Sequence, residues 1–450
     1  MKNLVLIVSC MAFGLSYGQQ LWSLERCIAH ARENNIDVVA QKLENLKNEQ
    51  DLTAAKLDRF PDLNFNASQS YRLGSSFDVS TGIGQQESRS SNFSLNSTLV
   101  LFNGFRKNVS IQQAELIQQK GLAESERIIY ETVLQITDLY LEVLLNKEIL
   151  EVAKEQLEIS DKQIIRLQAL FDKGLVSKSE LLEFQSTNSL DYKEAILAQT
   201  NVDNSLIRLK ELLDVEDIVD FDISPLDQVE DGTLLSDTPD QLFDQAVRNN
   251  PILRSSELQT QISEKQVRIE RSSFYPQLSF NYNFSTFYFG ILGQDDVIFN
   301  PDTGTFINND FWTQLDNNKI NFIGFTASVP IFDRLRGRSA VKKAMIDFDI
   351  NQKVYENQKK ELKNRISIAL NDIEAAIAGK EATARGLEAQ LEAFRIITRN
   401  YERGNFTSHD FLESKSKLAR AQSEEIRAKY ELVIKKKYLE FLIGLPLAFD

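Results

Sequence analysis

The chain carries one pattern twice. Asn34-Asn35 recurs 215 positions later as Asn249-Asn250, and Pro61, Leu63, Phe65 and Asn66 recur at that offset as Pro276, Leu278, Phe280 and Asn281. Further along, the offset becomes 230: Phe102 matches Phe332, Arg106 matches Arg336, Gly174 matches Gly404, and Leu182-Glu183 matches Leu412-Glu413. An insertion of 15 residues therefore lies between Pro276 and Phe332. A constant offset on each side of one insertion is the mark of a duplicated unit. It divides the chain into residues 19–228 and 229–450, with 1–18 set apart.

Each copy runs helix, strand, loop, strand, very long helix, short break, helix. Residues 24–59 read as one helix. Residues 63–71 alternate, with Leu63, Phe65, Ala67 and Tyr71 separated by Asn and Ser, and Phe93, Leu95, Leu99 and Leu101 alternate likewise. In the second copy the apolar sets are Leu278, Phe280, Tyr282, Phe284 and Tyr288, then Ile323, Phe325, Ala327, Val329 and Ile331. These are period-two strands. Segments of about ten residues with small uncharged polar partners suit a tilted strand between lipid and a wet lumen. Tyr71, Tyr282, Phe287 and Tyr288 are then candidates for the membrane interface. The intervening segments, 74–90 and 290–318, read as solvent-facing loops.

From residue 104 to 172 there is no proline and one glycine, Gly121. At 1.5 Å per residue such a helix is roughly 100 Å long. Apolar residues recur every seven positions at Ile136, Val143, Leu150, Leu157, Ile164 and Phe171. The second copy gives Ile366, Ile373, Lys380, Leu387, Phe394 and Tyr401, and small residues such as Ala153, Ser160, Ala369 and Ala376 accompany the two series. That is coiled-coil packing against other helices. Breaks at Lys173-Gly174-Leu175 and Arg403-Gly404-Asn405 turn each long helix back as a hairpin, with glycine as the cap. Ser177-Lys178-Ser179-Glu180 fits a capping box.

Composition narrows the function. The net charge is −14, which disfavours nucleic acid as a partner. Two histidines, His30 and His409, and no CxxC, Gly-rich phosphate loop or GxSxG leave no catalytic constellation and no metal or cofactor site. Lys2, the apolar run 4–15 and Ser16-Tyr17-Gly18 read as an export signal. Ile7-Val8-Ser9-Cys10 loosely fits a lipobox, so lipidation at Cys10 is the alternative. Cys27 then remains as the one thiol, on an apolar helical stripe, and is expected to be buried. No other apolar stretch is long enough for a transmembrane helix. Four strands cannot close a barrel in lipid, so strands that span a membrane require an oligomer, with eight strands in a dimer or twelve in a trimer.

The chain resembles the TolC-type outer-membrane efflux family over nearly all of residues 19–450. The resemblance rests on Phe60-Pro61-Asp62-Leu63, Tyr275-Pro276-Gln277-Leu278 and Val329-Pro330-Ile331-Phe332-Asp333. It rests also on the tips Phe171-Asp172-Lys173-Gly174-Leu175-Val176 and Tyr401-Glu402-Arg403-Gly404-Asn405-Phe406. It implies an α+β membrane protein in the cell outer membrane, reaching into the periplasm. Three copies would build a twelve-stranded β-barrel and a tunnel of twelve long antiparallel helices. The homotrimer would serve as exit duct for a periplasmic adaptor and an inner-membrane pump, in efflux or type I secretion. The competing reading is a periplasmic coiled-coil scaffold or adaptor without a barrel.

The same resemblance places the aperture at Asp410 and Glu413, with the first-copy equivalents Glu180 and Glu183 and with Tyr401 before the glycine. Acids three apart share one helix face, and a ring of carboxylates selects cations. Gly174, Leu175, Val176, Gly404 and Asn405 form the helical-hairpin tips that would contact the adaptor. Where the family carries an arginine two positions after the tip glycine, this chain has Phe406, which puts the family's salt-bridge latch in doubt. The acidic segment 214–237 joins the copies and is expected to wrap the tunnel at mid-height.

Overall fold

The computed structural model describes residues 21–74, 76–77, 84–85, 87–215, 221–226 and 238–445. The export segment 1–18, Cys10, and residues 216–220 and 227–237 of the linker lie outside the described residues. The chain divides into two compact units: residues 1–45, 121–256 and 354–450, and residues 46–120 and 257–353.

Helices α1 (Leu24–Asn34) and α2 (Ile36–Leu57) open the chain. Residues 24–59, expected to be one helix, are therefore two. Asn35 leaves helical geometry with ψ 130°, and its Oδ1 accepts from the Asp37 and Val38 amides that start α2. Strands β1 (Asn64–Arg72), β2 (Ser76–Phe77), β3 (Gly84–Gln85) and β4 (Ser88–Asn103) follow, then α3 (Arg106–Phe171) and α4 (Lys178–Leu213). The second copy gives α5 (Pro239–Asn249), α6 (Pro251–Arg271), β5 (Gln277–Ile291), β6 (Val297–Asn300), β7 (Thr305–Asn308), α7 (Phe311–Asn317), β8 (Ile320–Ser328), α8 (Arg336–Glu402) and α9 (Ser408–Ile443).

In the first unit, two apolar clusters occupy corresponding places in the two copies. One joins Leu24 and Cys27 of α1, Ile136, Tyr140 and Val143 of α3, and Leu209 and Leu213 of α4. The other joins Leu242 and Ala246 of α5, Ile366 and Ile373 of α8, and Leu439 and Leu442 of α9. Of the heptad positions read from sequence, Ile136, Val143, Leu150, Ile366 and Ile373 are buried, whereas Leu157, Lys380 and Leu387 are only half-buried. Cys27 is fully buried, and burial pushes its thiol up to about 12. The described part of the linker packs here too: Phe221 and Ile223 are buried, and Ile223 pairs with Trp22 in a parallel bridge.

In the second unit, β1-β4-β5-β8 form one antiparallel sheet with β1 and β8 at its edges. Pairing puts Phe65 beside Leu95 and Leu95 beside Phe284, and Leu99 beside Phe280 and Phe280 beside Phe325. The opposite face holds Asn64, Asn96 and Asn283 in one row. Asn283 donates to Asn96, and Asn281 Nδ2 to Thr326 Oγ1 at 3.1 Å. One face is therefore mainly apolar and the other mainly small amides and hydroxyls, the alternation of a strand between two solvents, although the second face also carries Val100, Phe287 and Phe322. β8 stops at Ser328, short of the expected Val329 and Ile331, because Pro330 has no amide hydrogen for a ladder.

The segment 290–318 is not a plain loop. It contains the β6–β7 hairpin and α7, capped by Asp310 Oδ1 accepting from the Thr313 amide at 2.9 Å. This packing buries Tyr288 to 2 % exposure, where its hydroxyl meets Asp296 and Arg89. Tyr288 is therefore not an interface aromatic, whereas Tyr71 and Phe287 are exposed.

Candidate functional site

Both helical hairpins turn by the same backbone device. The Leu175 amide donates to Leu170 O at 3.0 Å and the Gly174 amide to Phe171 O at 2.8 Å. The Asn405 amide donates to Asn400 O and the Gly404 amide to Tyr401 O, both at 3.0 Å. This double closure needs a left-handed residue, and Gly174 and Gly404 supply it at φ +70° and +82°. Leu175 and Asn405 are exposed and Val176 is half-buried.

Behind the turns sits an aromatic plug. Phe184 of α4 and Phe411 of α9 are fully buried with Leu167 and Leu181. Tyr401 stacks on Phe411 at 5.1 Å between centroids and on Phe184 at 6.2 Å. The sequence-predicted Tyr401 and Glu180 meet here: Tyr401 Oη donates to Glu180 Oε1 at 3.2 Å, and Ser408 Oγ donates to the same oxygen. Burial holds the Tyr401 hydroxyl above its ordinary pKa, against the Ser408 contact. It stays a neutral donor to a carboxylate that joins the two hairpins.

The capping box expected at Ser177 is half formed. Ser177 Oγ accepts from the Glu180 amide at 3.1 Å, but the Glu180 carboxylate goes to the other hairpin. The complete box is at Thr407. Its Oγ1 accepts from the Asp410 amide at 3.2 Å, while Asp410 Oδ2 accepts from the Thr407 amide at 2.9 Å. The Thr407 hydroxyl, then its amide, hold the Asp410 carboxyl below the usual range. Glu413 is exposed and pairs with Lys417 at 2.8 Å, which lowers its pKa. Glu183 is exposed on α4. Asp410 and Glu413 share a face, as their spacing requires. Phe406 is exposed; Tyr401 and Ser408 supply the hydroxyl contacts to the acid, and Arg166 of α3 pairs with Glu402 of α8 at 3.6 Å.

One group was missed in the sequence. Lys415 of α9 is 4 % exposed at its side chain and pairs with Asp191 of α4. Asn188 Nδ2 beside it donates to Asp161 Oδ1 at 2.6 Å and to Ser160 Oγ at 3.3 Å, so α3 joins the same polar layer. Burial lowers the Lys415 pKa, and Asp191 opposes that shift. The available signal was a lysine beside the buried stripe Phe411, Ser414 and Leu418.

The chain belongs to the outer membrane efflux protein family, whose model matches residues 27–214 and 242–445. It is 20 % identical to the outer membrane protein TolC of Escherichia coli (strain K12), over 98 % of this chain and 86 % of that protein. It is 23 % identical to the alkaline protease secretion protein AprF of Pseudomonas aeruginosa, over 76 % of this chain and 66 % of that protein. The fold matches the Campylobacter jejuni CmeC outer membrane channel with a TM-score of 0.78 at 17 % identity, covering 97 % of this chain and 92 % of that one. The protein is thus an outer-membrane exit duct.

Proposed function

We propose that three copies of this chain form a channel through the outer membrane that continues as a helical tunnel in the periplasm. The observation that carries this reading is the four-stranded sheet: mainly polar on one face, mainly apolar on the other, and with β1 and β8 at its open edges. Open edges in lipid leave backbone groups without partners, so β1 of one copy must meet β8 of the next. Three copies give twelve strands, the closure that the family resemblance implies.

In this proposal residues 1–18 direct export and are removed, and 19–228 and 229–450 are the two copies of the duplicated unit. Asp410, Glu413, Glu180 and Glu183 face the periplasmic aperture, and Tyr401 holds it shut through Glu180. The tips at Gly174, Leu175, Val176, Gly404 and Asn405 dock a periplasmic adaptor, which joins an inner-membrane pump. The relationship to AprF supports a secretion role and that to CmeC supports a channel role. The pump selects the cargo.

The test is fractionation of expressing cells, then gel mobility of the membrane pool with and without heating. A detergent-extracted band that runs as a trimer and collapses to one chain on boiling supports the proposal. A monomer released without detergent overturns it.

A further inference from the structure

The residues between β8 and the second turn of α8 are the most basic stretch of an acidic chain. Arg334, Arg336, Arg338, Lys342 and Lys343 fall within ten residues that contain no acid, in a protein of net charge −14. All five are exposed. Arg336 Nε donates to the Asp333 carbonyl at 3.3 Å. The Asp333 carboxylate is occupied as the helix cap, accepting from the Gly337 amide at 2.5 Å. Arg334, Arg338, Lys342 and Lys343 have no acidic partner among the described residues. Cations at the start of a helix are also repelled by its positive end, and the first turn of α8 holds no acid to offset them.

The fold does not require these charges. The first copy builds the same junction between β4 and α3, where the matching positions are Gly104, Arg106, Asn108, Gln112 and Gln113. Only Arg106 is basic there, and the neighbouring Lys107 is paired with Asp58 at 3.3 Å. The second copy has gained cations that no acid among the described residues neutralises.

Immediately on the strand side lie bare apolar groups. Ile331 is 95 % exposed and Phe332 78 %, and Leu335, Phe105, Phe60 and Tyr275 are also exposed. Along the chain the order is apolar strand, exposed aromatics, then unpaired cations. A bilayer presents the complementary order of hydrocarbon, interface and anionic headgroups.

We propose that Arg334, Arg338, Lys342 and Lys343 form a collar that binds the phosphates of anionic phospholipid headgroups where the strands leave the bilayer. The bare apolar belt of Ile331 and Phe332 anchors against the acyl chains. Long flexible stems let cations on two sides of α8 reach one headgroup layer. The inference rests on the strands meeting lipid, as proposed above.

The test uses the full chain purified in a non-ionic detergent. Its thermal midpoint is followed by loss of the slow-migrating oligomer, as phosphatidylglycerol, phosphatidylcholine or inorganic phosphate is added. Phosphatidylglycerol should raise the midpoint and phosphatidylcholine should not. In a triple variant Arg334→Gln/Arg338→Gln/Lys342→Gln, apparent affinity for phosphatidylglycerol vesicles should fall on the order of fivefold per charge removed at low salt. Arg334→Lys/Arg338→Lys should retain it, because the headgroup reads charge. Equal responses to both lipids, or an unchanged triple variant, overturn the collar. A response to inorganic phosphate alone assigns the cations to a soluble anion instead. A triple variant that loses its oligomer before any lipid is added assigns them to acids of a neighbouring copy. Failure of the wild type to form any detergent-dependent oligomer overturns the membrane reading itself, a separate result.

Discussion

Asn35 and Asn250, 215 positions apart, do the same work. Each side-chain oxygen accepts from the amides two and three residues on, Asp37 and Val38 in one copy and Ile252 and Leu253 in the other. Each side-chain amide donates to the carbonyl near the end of the last helix of its own copy, Leu212 O and Leu442 O, both at 3.2 Å. One residue caps a helix start and satisfies a helix end, so the joint between the short helices is welded to the hairpin beside it.

Asn250→Asp should therefore separate the two tasks. The carboxylate still caps α6 but cannot donate to Leu442 O. The loss should be about 1–3 kcal/mol, the cost of an unsatisfied buried carbonyl beside a buried charge. Asn250→Ala loses both tasks and should cost about 1 kcal/mol more. Denaturation of the purified oligomer in detergent measures both. Equal stability of the Asp variant and the wild type would show that the donated bond contributes nothing.

The Lys415–Asp191 pair should behave as a buried ion pair whose parts are harmful alone. Lys415→Met leaves Asp191 uncompensated between α4 and α9 and should cost about 3–5 kcal/mol, and Lys415→Met/Asp191→Leu should recover most of that loss. The interaction energy from the double-mutant cycle is the decisive quantity. Additive losses would mean that the contact carries no coupling.

Much of this architecture was legible because a duplication states each feature twice. The tip glycines, the strand pairs and the inward heptad positions all follow from periodicity and offset. The break at Asn35 was not evident in the first copy, where Asn35-Ile36-Asp37 has no strong helix stop. The second copy does carry the signal. Pro251 follows Asn250, and a residue before proline is driven out of helical geometry, here to ψ 117°. Glu180 fits the capping-box pattern, but a tertiary partner wins: two hydroxyls from the other hairpin bind its carboxylate more fully than one backbone amide would. The Lys415 layer depends on which faces of three helices meet, and a single stripe does not specify that.

Asp138 of α3 gives a pH dependence with a defined sign. Burial raises its carboxyl to about 6, and its Oδ1 has no hydrogen-bond partner. An acid whose folded pKa is raised binds more protons folded than unfolded. Its contribution is therefore most favourable in acid and is lost as pH rises through about 6. Asp138→Asn should stabilise the protein at pH 7 by about 1 kcal/mol, after discounting for solvent screening. The gain should vanish by pH 4. A variant less stable than wild type at pH 7 would show that the carboxylate has a charged partner in the assembled protein.

The contact of Tyr401 and Ser408 with Glu180 sets the closed state of the tips in our proposal. Tyr401→Phe/Ser408→Ala removes both donors and keeps the aromatic stack on Phe411. Each lost hydrogen bond to a charged acceptor contributes about 1.5–3 kcal/mol, enough to shift a two-state equilibrium about tenfold or more toward opening. Single-channel conductance in planar bilayers should rise. Glu180→Ala should match the double variant, because both delete the same two hydrogen bonds. A larger effect of Glu180→Ala would give the carboxylate a further role in the aperture.

Asp410 and Glu413 can be tested without disturbing the helix start. Asp410 caps α9 through Thr407, so alanine would confound charge with folding, whereas Asp410→Asn keeps a capping oxygen. In Asp410→Asn/Glu413→Gln, cation preference, read from the reversal potential across a salt gradient, should fall toward neutrality. Each acid is present once per copy, so three copies would lose six charges. The Thr407 hydrogen bonds and Lys417 hold the two carboxyls below their usual range. Both therefore stay ionised from pH 7 to 5, and wild-type selectivity should be flat across that interval. Selectivity that changes between pH 7 and 5 would show that groups other than these two carboxylates control it.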